Sequence, residues 1–424
     1  MRKYLIGGQG DHFTVKFLFF ILVKQHGKLV RTTGSGGGDF IHILVVFDKF
    51  LERECHNNNS IQKTANDVKL FTGIFMDEKN AAQAEMLSNR LKKRYRHLRK
   101  WAKRSGTDAF RLYDRDIPEI PLVLDIYGDI VCGALYKRPY EKDEGEEIQW
   151  LAAMTDAAAL SMGINRENIV IKQRQRQKGT AQYEKIASQA LTRIVGEGGL
   201  QFKVNLSNYL DTGLFLDRRI MRSMVRDGSQ NRRVLNLFCY TASFSVYAAS
   251  GGAASTDSVD LSNTYLGWAR ENFTLNGYAA EIIRPQDFFA GAEKQGANKD
   301  TTGPCRNNLI RADVSSFLRS AAEARQRWDM IVLDPPIFSN STMARADFDL
   351  QRDLWKLLGD CLTLLSPGGK LWLSVSSRSF KTCAADIEIL LAEHFAGIKV
   401  SDISDKLVDE DFRGKKPPKT YIIK

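Results

Sequence analysis

Trp328-Asp-Met-Ile-Val-Leu-Asp334-Pro335-Pro336-Ile337-Phe338 is the stretch on which the reading of this chain turns. Met330 to Leu333 is a short apolar run of the kind a strand shows when both of its faces are covered. Two prolines directly after it cannot continue the strand, and they fix the backbone of the loop. Asp334 puts hydrogen-bond acceptors at the strand end, and Phe338 adds an aromatic face on which a base drawn out of its RNA context can stack. An ordinary turn has no use for an aspartate, two prolines and an aromatic together. Asp334, Pro335, Pro336 and Phe338 are therefore the candidate reaction site.

Working outward, apolar runs recur at Val234 to Phe238, Ser258 to Leu261, Leu309 to Arg311 and Lys370 to Val375, separated by segments of helical length. Alternating strands and helices predict an α/β fold with a parallel, doubly wound sheet. Such sheets bind ligands at the carboxyl ends of their strands, near the point where strand order reverses, so the residues just after each run are the ones to inspect. Asn236-Leu-Phe238-Cys-Tyr240-Thr241-Ala-Ser243 is a turn of small and polar residues opening a helix. Its N–H groups can approach the methionyl carboxylate of a bound nucleoside, although the turn lacks a G-x-G core. Asp260, followed by Leu261, falls where a carboxylate can accept from both ribose hydroxyls; the competing role is a helix cap, which Ser262 can supply instead. Asp313 is placed to accept from an adenine amino group, and its competing role is likewise a cap. The stretch from about 280 to 306, rich in Gly, Asn, Lys and Thr, reads as a surface insertion without a role of its own.

Upstream, Leu122 to Tyr127 and Ile130 to Tyr136 flank Gly128-Asp129, a hairpin signal. A helix-like segment from Glu147 to Met162 and strand candidates at Ile169 to Lys172 and Phe202 to Leu206 complete a small β-β-α-β-β module. The domain boundaries expected are 81–118 for a basic helical segment, 119–207 for this α+β module and 208–424 for the larger sheet. The helix expected from Asn80 to Arg104 carries Lys92, Lys93, Arg94, Arg96, Arg99, Lys100, Lys103 and Arg104 with few acidic residues interleaved. That imbalance favours RNA phosphates over a merely solvated face. Lys172, Arg174 and Arg176 extend the basic character into what reads as an exposed loop.

Composition agrees with a polyanionic partner. The 424 residues carry a formal net charge of +11, with 43% hydrophobic and 26% charged residues, which is globular composition and leaves room for two or three domains. The six cysteines form no C-x-x-C pair, so neither a zinc site nor a disulfide framework is indicated, and a reducing cytoplasm fits. The apolar run Phe13 to Val23 contains Lys16 and falls short of the roughly 20 residues of a membrane span. Lys24-Gln-His26 follows it where a signal peptide would place small residues. No function is assigned to residues 1–80, which include the flexible Gly34-Ser-Gly-Gly-Gly38 and polar Asn57-Asn-Asn-Ser60 runs.

The segments Asn205-Leu-Ser-Asn-Tyr-Leu-Asp211-Thr-Gly213-Leu-Phe215-Leu-Asp217-Arg-Arg219, Val234 to Thr241, Ser258 to Leu266 and Asp334-Pro-Pro-Ile-Phe338-Ser-Asn-Ser closely resemble the N7-guanine methyltransferase half of the bifunctional bacterial 23S rRNA (guanine-N2/guanine-N7) methyltransferase. Large-subunit rRNA cytosine-C5 methyltransferases are more distantly similar. The likeness runs from about Asn89 to the C-terminus, including Trp101-Ala-Lys-Arg104 and Gln173 to Tyr183. It implies a class I (Rossmann-like) methyltransferase sheet, S-adenosylmethionine (SAM) as cofactor, no metal, and 23S rRNA or a large-subunit precursor as partner. By the same resemblance Asp260 holds the ribose, Asp313 the adenine, and Asn236 to Thr241 the methionine moiety. Phe215, Asp217 and Arg219 line the same site, and Asp334 to Phe338 frame the target base. After the fifth strand, where the family's N7 half has a paired asparagine, this chain has Val375-Ser376.

Chemistry separates the alternatives. Guanine N7 has a free lone pair and loses no proton, so alignment with the sulfonium methyl is the main task and a missing histidine counts for nothing. Cytosine-C5 transfer needs a cysteine thiolate to add to the ring, and neither loop at issue holds one; Cys239 and Cys383 read as structural. Exocyclic-amine transfer, as at guanine N2, is the runner-up, because Asp334 can accept from an amine. A non-catalytic RNA-binding assembly factor is a further alternative, supported only by the Val375-Ser376 departure.

Overall fold

The coordinates are a computed structural model, and the described residues are 78–136, 143–173, 191–209, 211–295, 305–339, 348–377 and 379–424. The runs of residues 1–77, including Phe13 to Val23, lie outside them, as do Arg174 and Arg176.

Helix α1, Glu78–Ser105, is amphipathic: Leu87, Leu91, Leu98 and Ala102 are buried along one face. It packs on α2, Glu144–Met162, which Asp143 caps by accepting from the N–H groups of Gly145 and Glu146 and which Gly163 ends in the left-handed conformation. Both helices accompany a four-stranded sheet ordered β1 (Ala109–Asp114), β2 (Leu122–Tyr127), β3 (Ile130–Leu135) and β4 (Ile169–Gln173). The expected Gly128-Asp129 hairpin is there, with Tyr127 paired to Ile130. The module departs from the expected order in one strand. Phe202 to Leu206 does not join this sheet; β6 (Leu200–Asn205) pairs with β5 (Thr192–Glu197) in a separate hairpin, and β1 takes the vacant edge. The β5–β6 turn is Gly198-Gly199, both at positive φ (61° and 83°), as a two-residue type I′ hairpin turn requires.

The large sheet has eight strands ordered β15-β16-β14-β11-β7-β8-β10-β9. Its parallel part is β7 (Arg233–Leu237), β8 (Ser255–Asp260), β9 (Glu281–Ile283), β10 (Arg306–Arg311), β11 (Trp328–Leu333) and β14 (Leu365–Val375). All five expected strands lie in it. The antiparallel edge, β15 (Val400–Asp402) and β16 (Lys419–Ile423), was not anticipated. Nor is the stretch near 280 to 306 wholly an insertion: β9 extends the sheet and α6, Pro285–Gln295, follows it, while 296–304 lie outside the described residues. The covering helices are α3 (Arg219–Asp227), α4 (Ser243–Ser250), α5 (Asn263–Leu275), α7 (Val314–Glu323), α8 (Leu350–Thr363) and α9 (Ala384–Ala392).

From β7 the chain runs outward through β8 and β10, then returns to β11 on the other side of β7. The switch point therefore lies between β7 and β11, where a doubly wound sheet opens a crevice. One apolar cluster joins β11, α7 and α8 around Trp328, Ile331, Leu333 and Leu357. A second carries Ala109, Tyr127 and Ile130 of the small sheet together with Phe202, Tyr247 and Leu266. Under it, Arg222 and Glu197, both fully buried, form an ion pair of 2.7 Å, and Tyr247 donates to Glu197 at 3.0 Å. Residues 78–424 consequently pack as one compact unit.

Candidate active site

The loop after β7 has no glycine, yet Phe238, Tyr240 and Ala242 stand at φ of 54°, 53° and 57°. Non-glycine residues in the left-handed region cost of order 1–2 kcal/mol each and persist where the surroundings hold them, commonly at ligand sites. Here the hold is visible. Asp260, at the end of β8, accepts from the N–H of Tyr240 through Oδ2 and of Ser262 through Oδ1, each at 2.9 Å. Asn236 donates from Nδ2 to Ser245 Oγ at 2.9 Å, and Thr241 Oγ1 donates to the carbonyl of Gly213 at 2.6 Å. Those two side chains are engaged inside the fold, so what this loop offers a ligand is backbone.

Asp260 is not the helix cap. Ser262 caps α5, accepting from Tyr265 N, and the Asp260 carboxylate ties the β7 loop to the β8 loop. Burial pushes its carboxyl up to about 6, against the N–H groups of Ser262, Tyr240 and Leu261 that favour the charged form. Asp313 does cap its helix, accepting from Ser316 N through Oδ2 at 2.8 Å. Leu261 lies beside Asp260, half-buried, its carbonyl accepting from Arg311. Tyr240 gathers an aromatic wall: Phe215 at 5.3 Å, Tyr265 at 4.5 Å and Trp268 at 6.2 Å between ring centroids. Gly213 passes so close to Trp268 that a Cβ there would sit 2.2 Å from the indole. An acceptor carboxylate at the second strand end, a left-handed loop and an aromatic wall fit an amino-acid nucleoside.

Across the switch point, Asp334 follows β11 with Pro335 buried, while Ile337 and Phe338 are 54% and 48% exposed. Phe338 starts a two-residue ribbon, β12 (Phe338–Ser339) with β13 (Phe348–Asp349), that anchors the loop on α8. The Asp334 carboxylate is gripped from both oxygens by Arg218, Nε to Oδ2 and Nη2 to Oδ1, each at 3.0 Å. Arg218 also donates to Asp217 at 2.9 Å and to Ser376 at 2.6 Å. Its partners stand 116 and 158 residues away for Asp334 and Ser376, a grouping that no local pattern could reveal.

Three expected site residues face elsewhere. Arg219 points to a buried acidic cluster, Asp409 at 2.8 Å, Asp411 at 3.1 Å and Glu197 at 3.3 Å, because α3 turns its side chain away from Arg218's. Arg94 is not an RNA-facing cation: its guanidinium donates to the carbonyls of Leu112 and Asp411. Lys172 is buried and donates to the carbonyl of Tyr209 at 2.6 Å. Lys92, Lys93 and Arg96 are exposed on α1. No group of metal-ligating side chains occurs among the described residues, and no helix among them is long and apolar enough to cross a membrane.

A family model described as S-adenosylmethionine-dependent methyltransferase matches residues 114–293. "Ribosomal RNA large subunit methyltransferase K" of Neisseria meningitidis serogroup B is 43% identical over 337 residues, covering 80% of this chain and 86% of that protein. The chain belongs to this methyltransferase family. As a member of the large-subunit methyltransferase K family it is an S-adenosylmethionine-dependent enzyme. The K/L protein of Shewanella amazonensis is 42% identical over 329 residues, 78% of this chain but 42% of its own length, so the chain spans about two-fifths of that longer relative. Among solved structures, a methyltransferase in complex with SAH superposes with a TM-score of 0.58 at 23% identity, over 80% of this chain and 81% of that one. A SAM-dependent methyltransferase from Streptococcus mutans gives 0.56 at 22% identity, over the same shares. These two likenesses concern the fold.

Proposed function

We propose that this enzyme methylates N7 of a guanine in 23S rRNA, on the free rRNA or on a large-subunit precursor in the cytoplasm. The names of the K and K/L relatives support the large-subunit rRNA; the state of Asp334 supports the atom. Both oxygens of Asp334 are engaged by the buried Arg218 guanidinium, so the carboxylate is committed to an ion pair rather than standing free as a base. Amine methylation releases a proton that must go somewhere, whereas N7 attacks through a lone pair that carries none. The site thus suits a nucleophile that asks only for alignment and a water-excluded crevice.

SAM supplies the electrophilic methyl when bound. Asp260 accepts from its ribose hydroxyls, Asp313 from its adenine amino group through the oxygen not used as a cap, and the 236–241 backbone together with Phe215 and Asp217 borders the methionine end. Pro335 and Pro336 hold the loop so that Phe338 stacks the target base beside Asp334. Lys92, Lys93 and Arg96 on α1 contact RNA phosphates. The test is mass-spectrometric mapping of modified nucleosides in large-subunit rRNA from cells with and without the protein, repeated with Asp334→Ala. Loss of one 7-methylguanosine, restored by wild type and not by the variant, is expected. A missing N2-methylguanosine would move the target to the exocyclic amine, and an unchanged profile would remove 23S rRNA as substrate.

A further inference from the structure

Arg218 belongs to no strand of the large sheet, and the ladder that joins β7, β11 and β14 closes without it. Yet its side chain is 5% exposed and joins three loops at the crevice: its own 3-10 turn Leu216–Arg218, the Asp334 loop after β11 and the Ser376 loop after β14. Removing a guanidinium from water is costly unless its donors are matched in geometry. Here Asp334 is met fork to fork and Asp217 and Ser376 take further donors.

We propose that Arg218 is the positioning and specificity-determining residue of the base pocket: it fixes the Asp334 carboxylate in one orientation, so that the pocket selects a base edge presenting N–H donors. Guanine offers such an edge at N1–H and the N2 amine, and unmodified N7 is left to react. The inference rests on the reading of Asp334 as facing the target base. It also gives Ser376 a function: Ser376 anchors the guanidinium that anchors Asp334. Lysine cannot replace this arrangement, since it supplies the charge without the planar fork.

The experiment uses the full chain, SAM and a large-subunit rRNA transcript, with Arg218→Lys, Arg218→Gln and Ser376→Ala. Initial rates give kcat and the KM for RNA, calorimetry gives the SAM Kd, and thermal melting gives stability. Arg218→Lys should lower kcat by about 10²-fold, the scale of an ångström of misplacement, with the SAM Kd and melting temperature nearly unchanged. Arg218→Gln, which supplies neither the charge nor the planar fork, should lower kcat at least as far. If Arg218→Gln does not fold, Ser376→Ala tests the same idea without breaking the ion pair, and a kcat reduced by about three- to tenfold with unchanged melting is expected. Wild-type kcat in both Arg218→Lys and Ser376→Ala overturns the proposal, as does a loss of SAM affinity that matches the loss of rate. The product atom of the wild-type enzyme is identified in the same reaction. A product other than 7-methylguanosine defeats the N7 reading while leaving the Arg218 effect on kcat measurable.

Discussion

Adding one methyl group at Gly213 should cripple the cofactor side of the crevice. The residue stands at φ +99°, where L side chains are rarely found, and a Cβ there would meet Trp268 Cζ2 at 2.2 Å and Cη2 at 2.6 Å. The indole cannot swing aside freely, because Trp268 is buried and its Nε1 donates to the Lys203 carbonyl at 2.8 Å. The backbone conformation costs about 1–2 kcal/mol, forced repacking of a full site about 1–3, and a loosened indole hydrogen bond about 1. Gly213→Ala is thus expected to destabilise the protein by about 3–5 kcal/mol, a large part of the roughly 5–15 kcal/mol that holds most domains folded. The damage also travels. The Gly213 carbonyl accepts from Thr241, so displacing it loosens the left-handed loop that Asp260 braces, and SAM affinity should fall with stability. Urea denaturation followed by fluorescence, with calorimetric SAM titration on the folded fraction, measures both. Gly267→Ala is the control: nothing lies within 4 Å of its Cβ position, and it sits within helix α5. It should be neutral or stabilise by up to about 1 kcal/mol. A Gly213→Ala variant within about 1 kcal/mol of wild type would refute the reasoning, since the close approach to Trp268 would then carry no cost.

Asp260→Ala should weaken SAM binding by at least about 10²-fold, two charge-assisted hydrogen bonds being lost. In the wild type, ribose hydroxyls need the ionised carboxylate, so SAM affinity should be flat above pH 6 and fall as pH drops below it; calorimetry from pH 5 to 8 reads this directly. The stability effect has the opposite sign. A raised carboxyl takes up its proton more readily folded than unfolded, so its charge costs stability above pH 6 and the cost fades as pH falls towards 3.8. Lys93→Ala with Arg96→Ala should weaken RNA binding and flatten its salt dependence by about 1.5–2 units of slope, leaving melting unchanged. Arg94→Ala should do the reverse, lowering stability with little effect on the salt slope, and a filter-binding series against salt separates the two cases.

The expected helix face around Arg94 shows where the sequence held more information than charge counting extracted. Leu91 and Leu98 are buried on α1, and Arg94 lies three and four residues from them, on the inner side. Helical spacing could have separated it from Lys92, Lys93 and Arg96. The doubly wound sheet was legible because parallel strands covered on both faces carry apolar runs, as in Met330–Leu333. Strand β9 was not, being three residues, Glu281–Ile283, none of them buried, whose pairing with β10 only the assembled sheet supplies. Gly198-Gly199 was a hairpin signal that went unused. The cofactor loop was under-read for a physical reason: strained backbone at Phe238, Tyr240 and Ala242 has no glycine to mark it. Arg218 was out of reach altogether, since its role exists only once three loops meet.

The crevice also bears on cytosine-C5 chemistry, which depends on a thiolate. Of the described cysteines, Cys239 is the one in the loop between β7 and α4, and burial pushes its thiol well up, with Asp260 nearby opposing its ionisation further. Its Sγ lies 3.8 Å from the Tyr240 carbonyl, an internal contact that leaves the sulfur facing protein. A protonated, buried thiol cannot add to a pyrimidine ring. Cys239→Ala should therefore keep methyl transfer within about threefold of wild type, the cost being limited to a small cavity. RNA carrying 5-fluorocytosine, which traps a covalent enzyme adduct when a cysteine attacks, should give none. A trapped adduct, or a rate lost by about 10³-fold in a stably folded Cys239→Ala variant, would reverse the assignment. Either result would also require the loop to open far enough for the thiol to ionise, against the brace that Asp260 provides.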